Sequence, residues 1–178
     1  MHSHNESFSR ALRAALRKDP DIVLVGEMRD LETTHIAIKI AETGHLVFGT
    51  LHTTTASSTV DRVIDQFPAD RQAQIRTMLA SSLKGVIAQT LCKRIPKGRM
   101  ASLEILIVTT AIANQIREGK TFQIESAMQV GGKMGIVLMN DTLGKHVEDG
   151  LVEPQEALHR SLQRKDFRQV KLSGNQYS

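Results

Sequence analysis

One cysteine, Cys92, stands in 178 residues, so the chain can close no disulfide within itself and can build no cysteine-rich metal site. Its setting, Gln89-Thr90-Leu91-Cys92, reads as strand and predicts a buried structural thiol rather than a reactive one. Aromatics are scarce as well: 3% of residues, with no tryptophan and one tyrosine. Proteins that hold nucleic acid concentrate their basic residues and stack bases on aromatic side chains. Here 23 Lys and Arg face 19 Asp and Glu, and the basic clusters are small, at Lys93-Arg94, Lys97-Arg99 and Arg164-Lys165. No nucleic acid is expected as a partner. Long apolar runs are missing too, none approaching the roughly 20 residues that cross a bilayer. Met1-His2-Ser3-His4-Asn5-Glu6 lacks the apolar core of a secretory signal, so a cytoplasmic location is expected. What is present, 40% hydrophobic and 24% charged residues, is ordinary for a globular chain. The length suits one domain with a small appendage.

Periodicity supplies the elements. Phe8, Leu12, Ala15 and Leu16 recur at helical spacing until Asp19-Pro20 stops them. Residues 22–25 are continuously apolar, the pattern of a strand buried on both faces of a parallel sheet. Asp30 can cap a helix over about residues 31–43, with Ile36, Ile40 and Ala41 on its apolar side and Gly44 closing it. Residues 45–51 form the second strand, and strand, helix, strand make one right-handed crossover. Val60, Ile64 and Phe67, then Ile75, Met78, Leu79 and Leu83, give two helices within residues 56–84, separated at Pro68. Residues 86–95 and 100–108 read as strands around a Pro96-Lys97-Gly98-Arg99 turn. Helices follow over about 110–118, 122–129, 135–149 and 154–162, with Gly119 and Gly150 as stops and Pro154 in a first turn. From Arg164 the tail is polar. The fold class is α/β, and a helical subdomain is expected from residue 109 to 163, after a first domain over 1–108 and before a tail over 164–178.

The chemistry gathers where the two apolar strands end. In open α/β sheets ligands bind beyond the carboxyl ends of the strands, which brings Glu27, Arg29, Asp30, His52 and Thr53 to one edge. An acid there can hold Mg²⁺ or orient a water for phosphate hydrolysis. Gly26 permits close backbone approach, and Arg29 adds a counter-charge. The plainer reading is a solvated Glu and Arg in a surface loop, with Asp30 acting only as a helix cap. His45 opens the second strand and His52 closes it. Their odd separation puts them on opposite faces of a regular strand, so a shared metal, zinc above all, is not expected. Thr50, Thr53, Thr54 and Thr55 surround His52, and this hydroxyl-rich loop could meet a phosphate through hydroxyls and the amides of the next helix, or could simply cap that helix. Arg62 is either a surface salt-bridge residue, which its neighbour Asp61 favours, or a cation aimed at a neighbouring subunit's nucleotide. No Gly-x-x-x-x-Gly-Lys-Ser/Thr phosphate loop occurs in the chain.

From Ala11 through Asp30 the sequence resembles the atypical Walker B region of the secretion ATPase superfamily, with Glu27 on its acidic residue. Ala41-Glu42-Thr43-Gly44-His45-Leu46-Val47-Phe48-Gly49-Thr50-Leu51-His52-Thr53 resembles that family's His box, and Asp61-Arg62-Val63-Ile64-Asp65-Gln66-Phe67-Pro68 continues the likeness. Within the superfamily the likeness is closest to the pilus retraction ATPases, and it runs from about Ser7 to Glu156. The resemblance implies part of a RecA-like ATPase core, with ATP and Mg²⁺ as cofactors. It implies Glu27 as metal-arranging and catalytic residue, His52, Arg29 and Arg62 as further catalytic residues, and Gly26, His45, Thr50, His52 and Thr53 around the nucleotide. It also implies a homo-hexamer driving pilus retraction and twitching motility, held at the inner membrane peripherally through a platform protein. The family's N-terminal domain, Walker A loop and Asp box have no match here, so the 178 residues alone are expected to be inactive. Ala111-Ile112-Ala113-Asn114-Gln115-Ile116-Arg117-Glu118 resembles a motif associated with retraction, Ala-Ile-Arg-Asn-Leu-Ile-Arg-Glu. Ala113 and Gln115 depart from it, which keeps an accessory pilus motor paralogue, or a non-catalytic partner-binding module, as alternatives. A single cysteine argues against the zinc-bearing form found among assembly and type II secretion relatives.

Overall fold

The computed structural model describes residues 20–162; the helix expected around residues 8–16 and the polar tail from Arg164 lie outside the described residues. Packing forms two compact units. The first takes residues 20–52, Thr59–Lys84 and Thr109–Thr121, and the second takes Thr53–Ser58, Gly85–Val108 and residues 122–162. Packing therefore cuts the chain differently from a linear division at residue 108.

In the first unit β1 (Ile22–Glu27) and β2 (Leu46–Thr50) run parallel, joined by α1 (Leu31–Glu42). Val23 and Val25 pack with Ala37 and Ile40, and Met28, Ile36 and Val47 complete this small core. Asp30 starts α1 as expected: its carboxylate accepts the Thr33 amide and the Thr33 hydroxyl, each at 2.9 Å. Gly44, at φ +100°, ends it. One expectation fails. The apolar run of β1 is not buried on both faces, for Leu24 is 75% exposed where Val25 is fully buried. Burial alternates because, among the described residues, α1 covers one face of the strand pair. α2 (Ala56–Asp65) buries Val60, Val63 and Ile64, and α3 (Ala69–Ser82) packs against both α1 and α4 (Thr110–Arg117).

The second unit is built on an antiparallel hairpin, β3 (Gly85–Lys93) and β4 (Arg99–Ile107), whose register runs from Gly85 opposite Ile107 to Lys93 opposite Arg99. Gly98 takes φ +103° in the turn, a conformation that suits glycine. α6 (Met139–Glu148) lies on β4 and α7 (Pro154–Arg160) on β3, after the short α5 (Ile124–Gln129). Cys92, Met139, Leu143, Val152 and Ala157 form the core. Cys92 is fully buried with Sγ 3.6 Å from Ser102 Oγ, the structural thiol the sequence predicts. The helix expected over 135–149 starts four residues late. Gly135 is left-handed at φ +82°, and Val137 exchanges two backbone hydrogen bonds with Ile105, at 2.8 and 2.9 Å. A backbone tied to a strand cannot close helical bonds, so α6 begins at Met139.

Candidate functional site

Glu27 is the last residue of β1 and stands beside Thr50, the last of β2, with a register irregularity just before it. Two backbone-directed bonds fix this corner: the Met28 amide donates to Thr50 O at 3.0 Å, and the Thr50 hydroxyl donates to Gly26 O at 3.2 Å. From behind, the Gln66 amide donates to Met28 O at 3.4 Å while its Oε1 accepts the Thr34 hydroxyl at 2.7 Å. A Cβ at Gly49 would sit 2.7 Å from Met28 Sδ, so a larger residue there would make the flexible Met28 side chain shift. A Cβ at Gly26 would meet nothing within 4 Å, and the space above that peptide is open.

The side chains converge. His52 Nε2 donates to Glu27 Oε1 at 2.8 Å, and Arg29 pairs with Glu27 Oε2. Arg29 and His52 are 74% and 84% exposed against 26% for Glu27, so water screens the cluster and it adds little to folding stability. The Arg29 hydrogen bond holds the Glu27 carboxyl below its usual range; desolvation opposes it, and Coulomb attraction to Arg29 and then His52 adds to the lowering. Glu27 also raises the Arg29 guanidinium. The result is a fixed carboxylate flanked by two donors, on a rim that a ligand can reach.

His45 is not part of this group. It lies at the opposite end of β2, roughly 20 Å of extended chain from His52, and its Nδ1 is 2.9 Å from the Thr43 hydroxyl. Because that hydroxyl donates to Ile40 O at 2.7 Å, Nδ1 is the donor to Thr43. His45 thus joins the closing turn of α1. Arg62 is exposed on α2 and makes no ion pair among the described residues, so the salt bridge favoured from its neighbour Asp61 does not form there. Its neighbours Val63 and Ile64 turn inward while Asp61 beside it is exposed.

In the threonine-rich loop the helix-cap arrangement is present. Thr55 Oγ1 accepts the Ser58 amide at 3.0 Å and Ser58 Oγ accepts the Thr55 amide at 3.2 Å, a reciprocal cap on α2. The Ala56 amide donates to Glu104 Oε1 at 2.7 Å. The amides of Thr55, Ala56 and Ser58 are thus engaged within the protein. Glu104 and Gln66 were missed in the sequence. Glu104 had a signal, one acid inside Leu103-Glu104-Ile105-Leu106-Ile107, on the same strand face as Ser102 and Leu106. Gln66 had none, since its partners are 32 and 38 residues away.

Among the described residues no group of three His, Cys, Asp or Glu side chains is placed to hold a metal. A nucleotide-borne Mg²⁺ needs less, since it keeps waters and phosphate oxygens and takes one or two protein carboxylates. Glu27 fits that demand: Arg29 and His52 use two of the roughly four lone-pair positions of a carboxylate.

Comparison with known proteins matches residues 2–170 to the family model described as Type II/IV secretion system protein. The chain is 53% identical over 161 residues to the type IV pilus retractation ATPase PilT of Pseudomonas aeruginosa, covering 90% of this chain and 47% of that protein. It is 51% identical over 162 residues to a twitching motility protein of Neisseria gonorrhoeae, covering 90% and 43%. Among solved structures, the pilus retraction motor PilT with bound ADP superposes with a TM-score of 0.83 at 48% identity, over 91% of this chain and 46% of that one. The chain spans about half the length of the curated relatives it matches.

Proposed function

This chain belongs to the type II/IV secretion system protein family, with a RecA-like α/β core fold over the matched part, and from that membership we propose that it is part of an ATP-hydrolysing motor subunit that powers type IV pilus retraction and twitching motility. The observation that carries the reading is the meeting of two motif ends, Glu27 Oε1 at 2.8 Å from His52 Nε2. Phosphoryl transfer asks a protein mainly for positioning and for charge stabilisation. Glu27, kept ionised by Arg29, is a weak base and would act by orienting the attacking water. His52, Thr50 and Thr53 would donate to the γ-phosphate, and the open space over Gly26 would admit it. Arg29, or Arg62 reaching toward a neighbouring subunit, would balance the charge that develops. His45, bound to Thr43, would support the site only by fixing the turn that leads into β2. When bound, Mg²⁺ neutralises the phosphate oxygens, with Glu27 as the protein's carboxylate toward it.

The proposal extends to a homo-hexameric ring in the longer protein, whose contacts close by rotation, acting in the cytoplasm and bound peripherally to the inner membrane through a platform protein. No helix among the described residues is long and apolar enough to cross a membrane. The 178 residues by themselves contain no phosphate loop and should not turn ATP over. In a longer protein that carries this sequence, Glu27→Gln should lower Mg²⁺-dependent hydrolysis by about 10²–10⁴-fold with ATP binding kept. Undiminished hydrolysis would remove Glu27 from the mechanism.

One observation favours a second reading, an accessory pilus motor paralogue. On α4, Ala113 replaces an arginine of the retraction-associated motif, and Gln115 Oε1 is buried without a hydrogen-bond partner among the described residues. A methyl group cannot make the charge-assisted contacts of a guanidinium. Deleting the complete gene and measuring pilus shortening separates the readings: retraction that persists with no other motor present excludes the primary role.

A further inference from the structure

Glu104 lies on the inward face of β4, opposite Ala88, and is 5% exposed. A carboxylate so buried must be matched by donors. None of the ion pairs among the described residues includes it. Its donors are backbone amides, Ala56 N at 2.7 Å and Met139 N. These are the first residues of α2 and α6, so two helix N-termini direct their partial positive ends at one carboxylate. Neither helix supplies a substitute. α6 is preceded by Leu138, which has no capping side chain, and the Thr55 and Ser58 hydroxyls cap the amides of Ser58 and Thr55, leaving that of Ala56. The Thr53–Ser58 segment follows β2 in sequence yet packs with the hairpin unit, and Glu104 is a side chain of that hairpin bonded to it.

We propose that Glu104 is a positioning residue, whose carboxylate joins the starts of α2 and α6 and thereby fixes the Thr53–Ser58 peptide that leaves His52. Buried as it is, it would act through that peptide and not by contact with nucleotide. It acts by holding the threonines of that peptide in place, and this part rests on the motor reading above. Glutamine has one acceptor oxygen where the carboxylate has two, so Glu104→Gln should keep part of the arrangement that Glu104→Ala loses.

Amide hydrogen exchange on the 178-residue chain tests the local claim without nucleotide. Glu104→Ala should speed exchange at Ala56, Ser57, Ser58 and Met139 by about tenfold or more, with Glu104→Gln between it and the unaltered chain, while Val23 and Val25 keep their protection. Unchanged exchange at the first four, or a uniform rise everywhere, would overturn the proposal. In the longer protein, Glu104→Ala should lower kcat by about 10- to 100-fold with the KM for ATP within about threefold, and Glu104→Gln should recover part of it. Local loosening with kcat unchanged would overturn the positioning role, whereas an unaffected Glu27→Gln enzyme would overturn the motor reading instead.

Discussion

Two glutamates, each at a strand, live under opposite physics. Glu27 ends β1 on an exposed rim, where Arg29 holds its carboxyl below the usual range. Glu104 sits inside the hairpin unit, where burial pushes its carboxyl up and the Ala56 and Met139 amides pull it back. The first is charged at little structural consequence and is open to a ligand. The second is closed to any ligand and engaged with the backbone. The difference teaches that an acid's place in a sequence motif says less about its role than whether its partners are exchangeable side chains or fixed amides.

The sharpest way to break this contrast is to alter one residue on the rim and one in the core. Glu27→Gln should produce the large loss of hydrolysis given above and leave the unfolding midpoint of the chain where it was, because the rim cluster is screened. A comparable loss of stability would show that the rim is structural. At the buried end, Leu143→Ala should do the reverse and cost about 2–5 kcal/mol in urea unfolding, since Leu143 is fully buried beside Cys92 and Met139. A cost under about 1 kcal/mol would mean that the site collapses around the truncation.

Smaller effects refine the comparison. Removing the α1 cap with Asp30→Ala should cost about 1 kcal/mol, because the Thr33 amide loses its acceptor. Glu104 gives a pH signature. Its folded-state pKa is raised, so its favourable contribution is present below the ordinary carboxylate pKa and is lost as pH rises through the raised value. Stability of Glu104→Gln relative to the unaltered chain should therefore climb as pH increases from about 4 toward 7, and a flat difference would contradict the shift. His35 has the opposite dependence. Burial first, then Lys39 and Arg71, lower its pKa, and it packs edge-on to Phe67 at 6.0 Å. Its contribution is whole above the ordinary histidine pKa and is lost as pH falls through the lowered value. Substitution by phenylalanine should flatten that part of the stability curve.

The crossover from β1 through α1 to β2 was legible because its determinants are local: an apolar run, the Asp30 cap, the period of Ile36 and Ile40, and Gly44 to stop. The meeting of Glu27 with His52 was legible as a tendency, since parallel strands put their carboxyl ends on one edge. The start of α6 was not. Helical periodicity over 135–149 was real, but the pairing of Val137 with Ile105 overrode it, and a partner 32 residues away leaves no local trace. The lack of an ion pair to Arg62 among the described residues and the contact of His45 with Thr43 were equally invisible, because spacing fixes a residue's element and not its partners.

By itself, then, the sequence determined which residues stand at the strand ends and what chemistry they can offer, because strand ends, caps and turns follow from a few adjacent side chains. Only the tertiary structure decided which of those residues share a carboxylate. It also decided which face of β1 is covered, and that Glu104, unremarked in its strand, holds the starts of two helices. Such pairings join residues tens of positions apart, and they form only when packing brings an acid within reach of donors far away in the chain.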